Sequence, residues 1–238
     1  MTGALQALRT ALAGLADLAL PCVCAGCGAG AALLCLSCRL ALEGLARPAW
    51  PDPVPPGLPQ PWAVAAYGGP VRAALIAHKE NGRLALVGPL GEAMARSVRA
   101  ASDGRPGPVL LVPAPSRPAA VRARGHDPTV RLARRAASLL RATGADVGTA
   151  AVLRVGAQLV DQAGLTAVQR AANLAGALRV PSRLAPLVVG RRVVVVDDLV
   201  TTGSTLAEAA RALRACGALV ETSAVVAATS RRTSSPSQ

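Results

Sequence analysis

Phenylalanine is absent from the 238 residues, lysine occurs once, as Lys79, and the only aromatic side chains are Trp50, Trp62 and Tyr67. A core must therefore be built from Ala, Leu and Val, and the aromatic platforms on which single-stranded nucleic acid stacks have few residues to draw on. Long uninterrupted apolar runs are also missing. Residues 1–20 come nearest, but Arg9 and Asp17 interrupt them, and Leu5, Leu8, Leu12 and Leu15 recur at helical spacing. That pattern predicts an amphipathic helix rather than a signal peptide or a membrane span, hence no membrane insertion and a cytoplasmic protein. Acidic residues are scarce as well: 26 cations face 13 anions, for a net charge of +13 carried almost wholly by Arg. Such a balance favours anionic partners, whether phosphates or nucleic acid, although an Arg and Ala surplus also follows from base composition.

Five of the six cysteines fall between positions 22 and 38. Cys24-x-x-Cys27 and Cys35-x-x-Cys38 form two knuckles, and Gly26, Gly28 and Gly30 permit the tight turns of a tetrahedral thiolate site. In a reducing compartment this spacing reads as structural zinc on four ligands, with free or redox-active thiols as the alternative. Cys22 competes with Cys24 for the first position, the x-x spacing favouring Cys24. Cys216 is read as a small core residue on the apolar face of a helix.

Seven prolines between Pro48 and Pro61 mark an extended, semi-rigid linker. The expected organisation is a helix-plus-zinc module over 1–46, the linker over 47–61, an α/β domain over 62–229 and a disordered tail over 230–238. Within the α/β domain the pattern predicts strands at 62–67, 109–112, 150–155, 193–198 and 219–228. Helices are expected after Gly68-Gly69-Pro70, over 84–100, from about 129 to 141, and from Thr205 to Ala215 with Gly217 as its C′ residue.

The most informative stretch is Val193-Val-Val-Val-Asp197-Asp198-Leu-Val-Thr201-Thr202-Gly203-Ser204-Thr205. Four β-branched residues make a buried strand, two acids end it, and a hydroxyl-rich turn opens the next helix. A helix N-terminus presents unpaired N–H groups and the positive end of the macrodipole to an anion. Thr201, Thr202, Ser204 and Thr205 add hydroxyls, and Gly203 allows a close backbone approach. A triphosphate loop puts a Lys beside the phosphates, whereas Asp197 and Asp198 stand ahead of the cradle and would repel a bare polyphosphate; carboxylates accept hydrogen bonds from vicinal hydroxyls. The ligand that suits both halves is a sugar phosphate, with ribose hydroxyls on the acids and the 5′-phosphate on residues 201–205. An ordinary strand, turn and capped helix would account for one of the acids but not for the whole series.

Three further groups are candidates. Val112-Pro113-Ala114-Pro115-Ser116-Arg117 leaves a strand end, where ligands collect in parallel sheets, with the amides of Ala114, Ser116 and Arg117 as donors; a Pro-stiffened loop without a ligand is the other reading. Seven Arg lie between Arg117 and Arg141 against one acid, Asp127. Arg122 and Arg124, with His126, are placed in a Gly-containing loop where they would clamp pyrophosphate, while Arg131, Arg134 and Arg135 are read as a solvated helix face. Asp161, Gln162, Gln169, Arg170 and Asn173 form a polar patch in an apolar region.

The series from Cys24–Cys38 through Tyr67-x-Gly69, Lys79, Val112-Pro-Ala-Pro115, Arg122-x-Arg124-Gly125, Gln162-x-x-Leu165 and Arg170-x-x-Asn173 to Asp197–Thr205 resembles the ComF family of competence-associated, phosphoribosyltransferase-like proteins. The Asp-Asp-x-x-Thr-Thr-Gly-x-Thr motif by itself is similar to the phosphoribosyl pyrophosphate signature of type I phosphoribosyltransferases. The resemblance implies that fold, with a parallel sheet flanked by helices, and phosphoribosyl pyrophosphate bound with Mg²⁺. It also implies a role in the uptake or processing of transforming DNA, with single-stranded DNA or a DNA-uptake helicase as partner. An acceptor base is not implied. The chain departs from the family pattern at His126-Asp127-Pro128, where an aromatic residue and Asn are usual, and at Leu178, where Phe is usual.

Overall fold

A computed structural model describes residues 23–30, 32–103, 107–156 and 176–229. In chain order the elements are α1 (Leu36–Leu40), β1 (Arg47–Pro48), β2 (Gln60–Ala66), α2 (Gly69–Lys79), α3 (Val87–Ser102), β3 (Val109–Pro113), α4 (Pro118–Arg124) and α5 (Pro128–Ala142). They continue with β4 (Val147–Thr149), β5 (Arg154–Val155), β6 (Leu178–Arg179), β7 (Arg192–Val200), α6 (Ser204–Arg214) and β8 (Leu219–Ala228). Six strands form one sheet in the order β1-β2-β8-β7-β3-β4, every pairing parallel except the short antiparallel edge β1. The ribbon β5-β6 stands apart as an antiparallel pair.

Both faces of the sheet are covered, which explains why its central strands read as unbroken apolar runs. Alternation along β7 sends Val194 and Val196 to one face, where Leu90, Met94 and Val98 of α3 and Leu132 and Ala136 of α5 pack. Val193 and Val195 point the other way, against Leu206, Ala209 and Leu213 of α6. With no Phe to fill space, the helices approach on small residues. Ala93, Ala133, Ala136 and Ala137 are almost fully buried, and the α-carbon of Gly91 lies against the aliphatic stem of Arg135 with no room for a Cβ. Arg135 therefore rests its methylenes on α3 while, like Arg134, it remains exposed on the solvated face.

Helix ends follow local chemistry. Asp127 caps α5, its Oδ1 accepting the N–H groups of Thr129 (3.0 Å) and Val130 (3.2 Å), with Pro128 in the first turn. Helix α6 closes in a Schellman pattern, Ala218 N–H on Leu213 O and Gly217 N–H on Arg214 O, with Gly217 at φ 78° as expected for C′. Cys216 lies in that closing turn, not on the helix, and packs partly buried against the core.

Three expectations differ from the structure. Of the strand placed at 150–155 only Arg154–Val155, β5, is strand; β4 lies before it and ends at Thr149. Ala150 still donates to Leu111 O, after which the chain leaves the sheet and buries Val152 and Leu153 against the α6 side. The loop expected to carry Arg122 and Arg124 is the helix α4, started by Pro118 and ended by Gly125 at φ 77°. The Pro-rich stretch expected as a linker is laid against the domain: β1 pairs with β2, Leu58 is buried, Arg214 Nη1 donates to Gly57 O (2.7 Å), and Ser223 Oγ donates to Pro59 O (3.2 Å). The expected N-terminal helix, Cys22, the polar patch at 161–173 and the tail from 230 lie outside the described residues. Among the described residues no helix is long and apolar enough to cross a membrane.

Candidate functional site

At the C-terminal ends of β3 and β7 a cleft of about 520 Å³ opens. Its walls bring together eight of the residues singled out from the sequence as ligand contacts: Ala114, Ser116, Arg117, Arg124, Asp197, Asp198, Thr201 and Thr205. Lys79 from the end of α2, Val155 of β5 and Leu178 of β6 also line it. Neighbouring parallel strands end side by side here, so side chains 80 residues apart in sequence share one rim; this is the edge at which open α/β sheets collect ligands.

The floor is the acid pair. Lys79 Nζ lies 3.0 Å from Asp198 Oδ2, and Asp197 Oδ1 accepts the N–H of Asp198 at 2.8 Å. Burial, then the charge of Asp198, pushes the Asp197 carboxyl well above the usual carboxylate range, with Lys79 opposing them. Burial works to lower Lys79, but the Asp198 carboxylate outweighs it and holds the ammonium above its ordinary value. A strand-end pair of acids in which one resists ionisation is an environment that a cation or a set of hydroxyl donors relieves.

The anion-binding end is the start of α6. Gly203 occupies the N-cap at φ 74° and supplies no side-chain cap; a helix start of this kind offers its first-turn amides to outside partners. Thr202 Oγ1 and Ser204 Oγ are 3.0 Å apart, and the Ser204 N–H reaches Thr202 Oγ1 at 3.4 Å, which organises the turn from within. Gly203 plays a different part from the one read in the sequence. A Cβ there would lie 2.9 Å from Leu58 Cδ2 and 3.2 Å from Pro51 Cγ, so the side chains of the Pro-rich segment pack closely behind the turn. Thr202, Gly203 and Ser204 support the turn, while Thr201 and Thr205 line the cleft.

The β3 loop also differs from its reading. Ala114 N–H donates to Val196 O (2.8 Å), extending the β3-β7 ladder, and is closed to a ligand. Ser116 gives its N–H (3.4 Å) and its hydroxyl (3.2 Å) to Asp127. Asp127 is thus no intruder in an anion site: it is spent on the α5 cap and on this loop. Its Asp-Pro signature at a helix start is the signal by which the sequence shows that role. Arg124 Nη1 bonds Glu80 at 3.0 Å and Lys79 O at 3.3 Å, whereas Arg122 is exposed on α4 and off the cleft lining.

Behind Lys79, His78 is 1% exposed, its ring 6.4 Å from that of His126 in an edge arrangement. Burial, and after it the charges of His126 and Arg131, bring His78 down to about 4, so it is neutral at physiological pH. On the far side of the cleft, Glu208 accepts the Leu178 N–H (3.0 Å) and pairs with Arg211 (2.7 Å), which in turn donates to Leu178 O. This clamp fixes β6, and so the Leu178 wall, onto α6.

A separate centre lies in the N-terminal module. The sulfurs of Cys24, Cys27, Cys35 and Cys38 all fall within 4.8 Å of one another, and Cys27 and Cys35 are 3.7 Å apart. Tetrahedral zinc with bonds of about 2.3 Å spaces its sulfurs by roughly 3.8 Å, so the donor set fits that ion. Burial disfavours the Cys24 thiolate, but the N–H groups of Cys35, Cys27 and Gly26 outweigh it and bring the thiol down to about 6. Burial and the neighbouring sulfurs push Cys38 up to about 12.

Sheet, helices and strand-end cleft define an α/β protein of the type I phosphoribosyltransferase kind. Residues 129–238 match the model of the phosphoribosyl transferase domain. It is similar over 37 residues, at 60% identity, to adenine phosphoribosyltransferases of Mycobacterium avium (strain 104) and Mycolicibacterium paratuberculosis (strain ATCC BAA-968 / K-10). That stretch is 16% of this chain, and the chain spans about one fifth (21%) of the length of these relatives. The cysteine module, Lys79 and the β3 loop all precede the matched domain.

Proposed function

We propose that the cleft binds phosphoribosyl pyrophosphate with Mg²⁺ and that the protein transfers its phosphoribosyl group. The observation that carries this reading is the meeting, on one cleft, of Asp197 and Asp198 with Thr201 and Thr205 at the glycine-capped start of α6. Asp197 and Asp198 accept the ribose 2′ and 3′ hydroxyls, and the amides of α6 with Thr201 and Thr205 hold the 5′-phosphate. The pyrophosphate then lies toward the β3 loop, near Lys79 and Arg124. Displacement at the anomeric carbon forms the bond from the acceptor's lone pair to C1 and breaks C1–O, the electron pair leaving with pyrophosphate; Lys79 and Arg124 stabilise that charge. Mg²⁺, held with the ligand beside the two acids, would supply further charge neutralisation to the leaving group. Titration calorimetry with phosphoribosyl pyrophosphate and Mg²⁺ tests the assignment: binding should be lost in the Asp197→Asn, Asp198→Asn double variant, and binding that survives there sinks it.

The ComF resemblance adds a link to the uptake or processing of transforming DNA in the cytoplasm, with single-stranded DNA or a DNA-uptake helicase as partner. Reduced thiols on a metal suit that compartment. The net charge of +13 favours a second reading, a DNA-binding adaptor that uses the cleft as a sensor. Binding to DNA should then be blind to sequence and fall steeply with salt. A gel shift at low salt with no retention rules the adaptor out.

A further inference from the structure

Lys79, the single lysine of the chain, is the last residue of α2, and its partner Asp198 belongs to the acid pair. The other end of the same helix rests on the cysteine module. The Gly26 backbone is wedged between Cys38 and Pro70 in the first turn of α2: a Cβ on Gly26 would lie 2.7 Å from Cys38 Sγ and 2.9 Å from Pro70 Cβ. Further ties fasten the module around α2 and α3. Arg83 Nη2 donates to Val23 O (2.9 Å), Arg96 Nη1 donates to Leu42 O (3.1 Å), Leu42 is buried in the main core, and Arg39 pairs with Glu92 (3.3 Å).

Between these ends α2 is a rod of 11 residues, about 16 Å at the helical rise. Its buried side, Val71, Ala74, Leu75 and His78, is packed, which prevents the helix from yielding along its length. A displacement of its first turn therefore reaches Lys79. The first turn itself is seated on the backbone of a cysteine knuckle, whose shape depends on what holds its four sulfurs together.

We propose that the four-cysteine module and the cleft are thermodynamically coupled, with α2 as the strut and Lys79 as the positioning residue through which the coupling acts. Metal bound by the cysteines seats Pro70 and keeps Lys79 on Asp198, where its charge offsets the two acids and admits an anionic ligand. Without the metal the knuckle loosens, Lys79 leaves Asp198, and the acids oppose the phosphates. Coupling is reciprocal, so the ligand also tightens metal binding. The ligand half of this inference rests on the reading of the cleft as a phosphoribosyl pyrophosphate site; the strut does not.

The unique lysine makes the strut directly measurable. Full-length protein, zinc-loaded or stripped by a chelator, is exposed to an amine-acylating reagent, and modification at Lys79 is followed by peptide mass spectrometry. Calorimetry with phosphoribosyl pyrophosphate and Mg²⁺ is run on the same samples and on the Lys79→Met variant. Removing zinc should speed acylation of Lys79 at least about fivefold and weaken the ligand by roughly 5–150-fold, the usual span of coupling between two sites. In Lys79→Met the ligand affinity should no longer respond to zinc. Acylation that is indifferent to zinc overturns the strut, as does a zinc-dependent loss of affinity that persists in Lys79→Met, which is what general unfolding would give. If zinc-loaded wild type binds no ligand while acylation still follows zinc, the assignment of the cleft falls and the strut stands.

Discussion

The turn that opens α6 can be tested by adding one methyl group at Gly203. Two penalties follow from its surroundings. At φ 74° the residue is in the left-handed region, where an L side chain costs about 1–2 kcal/mol. The new Cβ would also stand 2.9 Å from Leu58 Cδ2, 3.2 Å from Leu58 Cδ1 and 3.2 Å from Pro51 Cγ. Leu58 is only 8% exposed and Pro51 is a rigid ring, so relief requires these two buried residues to shift; overpacking of this kind costs about 1–3 kcal/mol. Gly203→Ala should therefore lose about 3 kcal/mol, which for a chain of this size lowers the melting temperature by roughly 6–12 °C in thermal unfolding followed by circular dichroism. A double-mutant cycle separates the two penalties. Leu58→Ala alone costs about 2–5 kcal/mol, but it removes the clash, so the pair should fall short of additivity by about 1–3 kcal/mol. A Gly203→Ala protein melting within about 2 °C of wild type, or a strictly additive cycle, would refute the claim that the Pro-rich segment braces the phosphate turn.

Two other outcomes follow from the charges. Asp197 has a folded-state pKa above its unfolded one, so the unfolded chain gives up this proton first and stability falls as pH rises from about 4 through the folded value. Asp197→Asn should therefore be more stable than wild type at pH 7, with the gain vanishing below about pH 4, while its affinity for phosphoribosyl pyrophosphate falls; a gain independent of pH, or a loss at pH 7, contradicts this account. For Glu208, burial opposes ionisation, but Arg211 and the Leu178 N–H outweigh it and lower the pKa, so its contribution is present above the unfolded value and is lost as pH falls through the folded one. Glu208→Gln should cost about 1–3 kcal/mol at neutral pH, toward the lower end because Arg211 is half-exposed, and should accelerate hydrogen exchange at the Leu178 amide. Unchanged protection of that amide would show that the clamp does not hold β6.

Much of the domain was readable because its signals are local. The apolar runs that became β2, β3, β7 and β8, and the C′ residue Gly217, depend on residues within a few positions of one another. Helix α4 escaped notice because its Arg-rich sequence lacks an apolar stripe, and none of its residues is buried. The end of β4 at Thr149 was equally hidden: the apolar stretch 150–153 runs on past it, and only the position of Leu111 beside Ala150 decides where the ladder stops.

The acid pair, the hydroxyl-rich turn and the four-cysteine set were determined by the sequence, because a strand that ends, a helix that begins and a pair of knuckles are short-range events. Who occupies each donor and acceptor was decided by the tertiary structure. Ala114 gives its amide to Val196, Asp127 serves Ser116, Pro51 and Leu58 fill the space behind Gly203, and Lys79 crosses to Asp198. Each of these pairs joins different elements. A buried polar group must find its partner in whatever the fold brings near, and that proximity is a property of the packed sheet and not of any segment alone.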